Sequence, residues 1–196
     1  SLGRDRDYSA FHIINLYNGV QVAEFYSNKI GLNEFANILA QEGLRYNTAF
    51  VAPERNGLGL ALIEQLFEVH EYENMWTGGK GEMGYLVNNK NRDVMLNHLQ
   101  ENLRNSKIKI NSERTFNELT TFIISKTGKL EAEEGFADDL VMSLAIGSTL
   151  MEDIVGKSPI PIVKGDLVEP TGREIPTPGY SRGTYSKDFD DYRKWV

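Results

Sequence analysis

The sequence contains no cysteine and only three histidines among its 196 residues. Without cysteine, the chain forms no disulfide, no thiolate nucleophile and no cysteine-ligated zinc site. The histidines, His12, His70 and His98, are scattered, and no pair of them has the spacing of metal ligands. No apolar run approaches membrane-spanning length, and no signal peptide is visible. A site built from carboxylates is compatible with all of these absences.

Basic residues are fewer than acidic ones: the sequence has 21 Lys and Arg residues and 28 Asp and Glu residues, so its net charge is −7. Affinity for a phosphate backbone depends on Lys and Arg, so this balance argues against a general nucleic-acid coat protein. It does not exclude an acidic metal site that is flanked by local basic patches.

Proline is almost absent from the first four fifths of the chain, because five of the six prolines follow Ser158. The composition therefore predicts a domain over residues 1–156 and an extended arm, linker or tail over residues 157–196. The end of this arm, residues 188–195, mixes aromatic and charged side chains. We interpret it as a tail that folds back onto the domain, and a docking peptide for a partner is the alternative.

Turn signals and hydrophobic periodicity predict an α/β chain that opens with a β-hairpin. Asn18-Gly19 is a strong hairpin signal, and residues 8–17 and 20–26 beside it are rich in aromatic and β-branched side chains. Short apolar runs that alternate with helical patterns favour parallel α/β units. Helices are expected at residues 32–44, 60–67 and 91–103, around Phe116 and Leu119, and after Asp139. Strands are expected at residues 48–52, 72–76, 107–110 and 120–125.

Two adjacent carboxylates, Asp138 and Asp139, open a segment that then becomes almost wholly apolar. A helix that is apolar on most sides is usually buried. Asp138 and Asp139, at the start of this helix, are therefore expected to lie at the edge of a core. Taken alone, the pair is best explained as an N-cap and a complement to the helix dipole. The residues expected on one buried stripe of this helix are Leu140, Val141, Leu144, Ala145 and Ser148.

Glu54 follows the expected strand at residues 48–52, at a position where α/β folds place functional residues. The turn Asn56-Gly57-Leu58-Gly59 behind it permits tight backbone geometry and would fix where Glu54 points. Asp5 and Asp7 lie in a charged turn before the hairpin. For each of these acidic residues, a solvated surface charge is the simpler interpretation.

Together, the three acidic positions suit a divalent cation such as Mg²⁺ or Mn²⁺. Hard cations prefer oxygen ligands, and Mg²⁺ is usually held by one or two carboxylates and substrate phosphate. Two such ions about 4 Å apart activate water and stabilise the leaving oxygen in phosphodiester cleavage. Carboxylates from a first hairpin, a later strand end and a late helix start would meet in a ribonuclease-H-like fold.

Three motifs resemble those of one family. They are residues 3–9 before the hairpin, residues 54–57 after a central strand, and residues 133–144 around the aspartate pair. Over residues 1–155 the chain resembles the nuclease domain of the large terminase, the DNA-packaging protein of tailed bacteriophages. The resemblance implies a ribonuclease-H-like mixed sheet flanked by helices. It also implies a Mg²⁺- or Mn²⁺-dependent endonuclease that cuts double-stranded viral DNA concatemers during genome packaging.

The resemblance assigns roles to individual residues. Glu54 corresponds to the second acid of the family, Asp139 to the third, and Asp138 is a possible ligand beside it. Asp7 matches a second acidic position of the first motif. The first acid of the family would lie shortly before Ser1, so a chain that begins at Ser1 is expected to bind metal weakly and to cut little DNA.

The resemblance also implies partners and a location. The partners are double-stranded DNA, the terminase ATPase domain, the small terminase subunit and the portal or procapsid, in the cytoplasm of an infected bacterial host. A phosphate-binding Gly-x-x-x-x-Gly-Lys-Ser/Thr motif is absent, so the ATPase part is expected to be absent from these 196 residues. The glycine-rich residues 77–84 are expected to be mobile. Candidate DNA contacts are Lys80, Lys90, Arg92, Lys107 and Lys109, for which solvated surface is the alternative.

Two other functions remain open from the sequence. One is a nuclease of the same fold that acts as a Holliday-junction resolvase or a transposase, and it would prefer branched DNA. The other is a non-catalytic module that docks onto DNA or capsid components.

Overall fold

The structure, a computed structural model, describes residues 8–125 and 130–157 and has a mixed α/β architecture. Asp7 lies outside the described residues. So do residues 158–196, which are nearly all of the expected arm. The strands are β1 Ser9–Asn15, β2 Val20–Ser27, β3 Phe122–Ile124 and β4 Leu130–Ala132; the helices are α1 Leu32–Arg45, α2 Gly59–Glu64, α3 Arg92–Arg104, α4 Glu113–Thr120 and α5 Asp139–Lys157.

The first hairpin is confirmed. β1 pairs with β2 in antiparallel register, with an irregularity between Ile13 and Ile14. Gly19 in the turn has a φ of 70°, and a Cβ at this position would lie 1.7 Å from the carbonyl oxygen of Lys107. Glycine is therefore required both by the backbone conformation and by the close approach of a neighbouring segment.

A single mixed sheet was expected, but the described residues form two separate two-stranded antiparallel sheets, β1–β2 and β3–β4. Parallel pairing occurs only as isolated bridges within this part of the chain. The bridges join Val20 to Lys109, Val51 to Met75 and Glu54 to Tyr85.

The strands predicted at residues 48–52 and 72–76 are thus reduced to one bridge. At that bridge Val51 N donates to Asn74 O at 3.0 Å, and Trp76 N donates to Val51 O at 2.8 Å. Asn47 and Thr48 have positive φ, and Pro53 has no N–H. These residues leave too short an extended segment for a regular strand.

The helices follow the apolar periodicity of the sequence, with one difference. The helix expected at residues 60–67 begins at Gly59, is α-helical only to Glu64 and continues as a π-helical turn over Gln65–Val69. Its widened backbone pairing is visible in the 3.1 Å bond from His70 N to Gln65 O. Across residues 8–125 and 130–157, none of the helices combines the length and hydropathy needed to cross a membrane.

Two hydrophobic clusters hold these elements. One contains α3, α5 and the segment around Ile108 and Ile110, and the other contains the hairpin, α1, α2 and the π-helical turn. The predicted buried stripe of α5 is confirmed, since all five of its residues are at most 1 % exposed. The start of α5 is therefore anchored in the core.

Candidate functional site

Asp138 and Asp139 lie where the loop from β4 enters α5. Met142 N donates to Asp138 O at 2.8 Å, so Asp138 occupies the N-cap position and Asp139 is the first helical residue. The side chain of Asp138 is 45 % exposed. Its backbone serves as the cap that the sequence predicted, while its carboxylate is accessible at the surface.

Glu54 is held by its neighbours rather than by a long strand. Arg55 N donates to Tyr85 O at 2.9 Å, and Tyr85 N donates to Pro53 O at 2.7 Å. Gly59 allows the start of α2 to approach this segment, because a Cβ there would lie 1.7 Å from Glu54 O.

The turn after Glu54 is fixed by Asn56. Its side-chain Nδ2 donates to Val87 O at 2.8 Å, and its Oδ1 accepts from Val87 N at 3.0 Å. These two bonds use both ends of the amide. The turn therefore fixes the backbone that presents Glu54, as its sequence predicted.

Glu54 and Asp138 lie near enough for the charge of one carboxylate to affect the pKa of the other. Burial raises the pKa of Glu54 above its ordinary value, and the negative charge of Asp138 raises it further. Two carboxylates from different motifs, one after a bridge segment and one at a helix start, therefore repel each other across a partly buried space. A bound cation would relieve this repulsion.

Glu118 on α4 is a third carboxylate at this place, and no sequence pattern identified it. Its Oε1 accepts a hydrogen bond from Val141 N at 2.9 Å. Burial raises its pKa to about 7, the N–H groups of Val141 and Leu140 oppose this, and the charges of Asp139 and Asp138 raise it again. Its burial arises from the packing of α4 on α5, which the local sequence does not reveal.

Arg92, the first residue of α3, lies beside Asp138. Its Nη2 lies 3.3 Å from Asp138 Oδ2, and its Nη1 donates to Leu130 O at 2.5 Å. The side chain is 24 % exposed. Arg92 was predicted as a DNA contact from its charge alone, and the structure adds a contact that the sequence did not indicate, an ion pair with a site carboxylate.

The remaining basic candidates, Lys80, Lys90, Lys107 and Lys109, are exposed. Lys80 lies in a tight turn in which Gly78 N donates to Glu82 O at 2.8 Å, and Glu82 pairs with Arg55 at 2.5 Å. The glycine-rich segment is thus tied by hydrogen bonds to the turn behind Glu54. Exposure of the lysines fits either DNA contact or a solvated surface.

An open cleft of about 390 Å³ lies next to the aspartate pair. Its lining includes Tyr26 and Glu118, and also Phe136 and Ala137, the residues just before Asp138. Burial, followed by the charge of Glu118, raises the pKa of Tyr26 well above its ordinary value. Of the acidic residues near the start of α5, Glu118 lines this cleft.

The donor atoms suit a hard divalent cation in kind, because Glu54, Asp138 and Asp139 supply carboxylate oxygens and the Glu54–Asp138 pair is strained by like charge. However, no three His, Asp or Glu side chains converge tightly enough to hold a metal ion within residues 8–125 and 130–157. The acidic side chains of the described residues therefore do not form a metal site by themselves. Asp7, the other predicted site residue, lies outside them.

No protein-family model matches the sequence. The fold is similar to crystal structures of the large terminase nuclease from thermophilic phage G20c. The cobalt-bound form has a TM-score of 0.62, and its alignment covers 75 % of this chain. The magnesium-bound form has a TM-score of 0.61 and covers 76 % of this chain. A third structure of that nuclease has a TM-score of 0.59 and covers 75 % of this chain.

In each case the sequences are 20 % identical and 77 % of the other chain is covered. At this identity the similarity establishes a shared fold. The resemblance to large terminase nuclease domains, inferred from three short motifs, is therefore confirmed at the level of structure.

Proposed function

We propose that this chain is a metal-dependent DNA endonuclease with a ribonuclease-H-like fold, and that it cuts double-stranded viral DNA concatemers during genome packaging as the nuclease part of a large terminase. The fold shared with the phage G20c nuclease supports this proposal. The observation that carries it is the electrostatic coupling of Glu54 to Asp138, since these residues come from separate motifs. The nuclease domain is assigned to residues 1–156 and an arm to residues 157–196.

In this proposal Glu54 and Asp139 hold Mg²⁺ or Mn²⁺, with Asp138 beside them and Asp7 assigned to the same site. The G20c nuclease has been crystallised with magnesium and with cobalt, which supports a divalent cation here. A bound cation of this kind supplies an activated water and stabilises the leaving oxygen of a phosphodiester. Asn56 holds the turn that presents Glu54.

The proposed substrate is double-stranded DNA. Lys80, Lys90, Lys107 and Lys109 would contact its phosphates, and Arg92 would do so or remain paired with Asp138. The proposed partners are the terminase ATPase domain, the small terminase subunit and the portal or procapsid, in the cytoplasm of an infected bacterium.

The proposal is tested by plasmid nicking with Mg²⁺ and with Mn²⁺, using the full-length natural protein. Asp139→Asn and Glu54→Gln should each lower the cleavage rate by more than ~100-fold, beyond the usual cost of losing an outer-shell partner. Asp93→Asn is a matched control, because Asp93 also lies in the first turn of a helix. Unimpaired cleavage by Asp139→Asn would remove Asp139 from the mechanism.

A non-catalytic docking module is the second candidate, and the incomplete ligand set among the described residues favours it. It predicts salt-dependent DNA binding without cleavage in any divalent cation. Adding a four-way junction to the same assay separates the remaining rival, since a resolvase or transposase-like nuclease would cut the junction in preference to linear DNA.

A further inference from the structure

Two side chains from other elements make hydrogen bonds to the backbone of the first turn of α5. One contact is made to the carbonyl oxygen of Leu140 and the other to the N–H of the next residue, Val141. These residues directly follow Asp138 and Asp139. The two contacts therefore act on the backbone that presents the aspartate pair.

The contact to Leu140 comes from His12 on β1, and the surrounding hydrogen bonds define its proton. Gln21 Oε1 accepts from Asn111 N at 2.9 Å and from Ser112 N at 3.1 Å, so its Nε2 is directed at His12 Nδ1, 2.9 Å away. Nδ1 is then an acceptor, and His12 Nε2 carries the hydrogen that it donates to Leu140 O at 3.0 Å.

His12 keeps this form at working pH. Desolvation lowers its pKa to about 4, against smaller opposing effects of the Glu24 charge and the Leu140 carbonyl. A neutral ring with one donor and one acceptor matches both of its partners. The hairpin thus holds the start of α5 through a side chain with a single hydrogen-bonding arrangement.

The contact to Val141 comes from Glu118 on α4. The first N–H groups of a helix lack partners within the helix, and the side chain of the N-cap residue usually accepts from them. Here Glu118 Oε1 accepts from Val141 N at 2.9 Å. The carboxylate of Asp138, the N-cap residue, instead lies 3.3 Å from Arg92 Nη2.

We propose that His12 and Glu118 are positioning residues that clamp the first turn of α5, and that Glu118 replaces the Asp138 side chain as the cap so that this carboxylate is available to the site. The inference rests on the proposed function of Asp138 and Asp139. Asp138 can then be the N-cap residue through its backbone while its side chain is a candidate ligand.

The experiment compares Glu118→Gln, which keeps an acceptor oxygen, with Glu118→Met, which has similar size and none, in the full-length natural protein. Mn²⁺ affinity is measured by calorimetry, and hydrogen exchange of the peptide over residues 138–146 by mass spectrometry. Glu118→Met should weaken Mn²⁺ binding and accelerate exchange by about tenfold each, because a helix N–H loses its buried acceptor. Glu118→Gln should restore both, and Glu113→Met, at an exposed position of the same helix, should change neither.

The second contact is tested by His12→Gln, whose amide can donate to Leu140, against His12→Leu, which cannot. Only His12→Leu should weaken Mn²⁺ binding. If the circular dichroism spectrum shows that Glu118→Met does not fold, the comparison of His12→Gln with His12→Leu tests the proposal without it.

The outcomes separate the clamp from the proposed function. If Glu54→Gln loses Mn²⁺ affinity while Glu118→Met and His12→Leu retain it, the clamp is overturned and the proposed function stands. If all three variants bind Mn²⁺ like the parent protein, the proposed function is overturned, and the clamp has no role in metal binding.

Discussion

The pKa of Glu118 makes the stability of the metal-free protein depend on pH in a defined direction. Its value rises from 4.5 to about 7, chiefly through burial. Between these pH values the folded state binds a proton that the unfolded state has released, so stability falls as pH rises. The stabilising contribution is complete below pH 4.5 and is lost as pH rises through about 7.

The magnitude follows from the two pKa values. At about 1.4 kcal/mol for each factor of ten in proton affinity, the change from 4.5 to about 7 corresponds to at most about 3 kcal/mol. Glu118→Gln removes the titration and keeps an acceptor for Val141 N. The variant should therefore gain stability relative to the parent protein as pH increases, with most of the gain between pH 5 and pH 8.

The assay is urea unfolding of both proteins in EDTA across that pH range, with Glu113→Gln on the same helix as a control. The difference in unfolding free energy between parent and variant should grow by about 2–3 kcal/mol toward pH 8. A difference that stays constant with pH would refute the assigned environment of Glu118. Added Mn²⁺ should reduce the pH dependence of the parent protein, since a cation offsets the repulsion from Asp138 and Asp139.

Three further perturbations test other parts of the structure. Replacing Lys107 and Lys109 with Gln should reduce the slope of log affinity against log salt by about 1.8, as expected for two phosphate contacts, and an unchanged slope in a binding titration would count against this surface. Arg92→Met should tighten Mn²⁺ binding by removing a competing cation from Asp138, whereas a loss of DNA affinity at low salt would favour the predicted phosphate contact. Gly19→Ala should cost at least ~2 kcal/mol in thermal unfolding, because of its positive φ and the nearby Lys107 carbonyl, and an unchanged melting temperature would contradict that packing.

The parts of the fold that depend on local chemistry were predictable from the sequence. Asn18-Gly19 determines the hairpin because few other residues adopt its turn conformation, and the apolar stripe of α5 predicts both the helix and its burial. The proximity of Glu54 and Asp138 was inferred from three motifs whose arrangement resembles one family. That inference is supported by the shared fold and by the raised pKa of Glu54.

The features that depend on packing between distant segments were not predictable. Glu118 resembles any other glutamate on a short amphipathic helix until α4 packs against α5. The ion pair of Arg92 with Asp138 requires the register of α3 against the loop before α5. The expected strands at residues 48–52 and 72–76 are reduced to the bridge between Val51 and Met75, and the first of them is also shortened by positive φ at Thr48.

In the proposed function, Glu54 and the Asp138–Asp139 pair share a divalent cation. A crystal structure of the full-length natural protein grown with Mn²⁺ tests it most directly, through anomalous scattering from the metal. We expect an anomalous peak at about 2–2.5 Å from carboxylate oxygens of Glu54 and Asp139, the range of hard divalent cations. A saturating Mn²⁺ concentration that leaves these carboxylates without a peak, or places the metal on another surface, would contradict it.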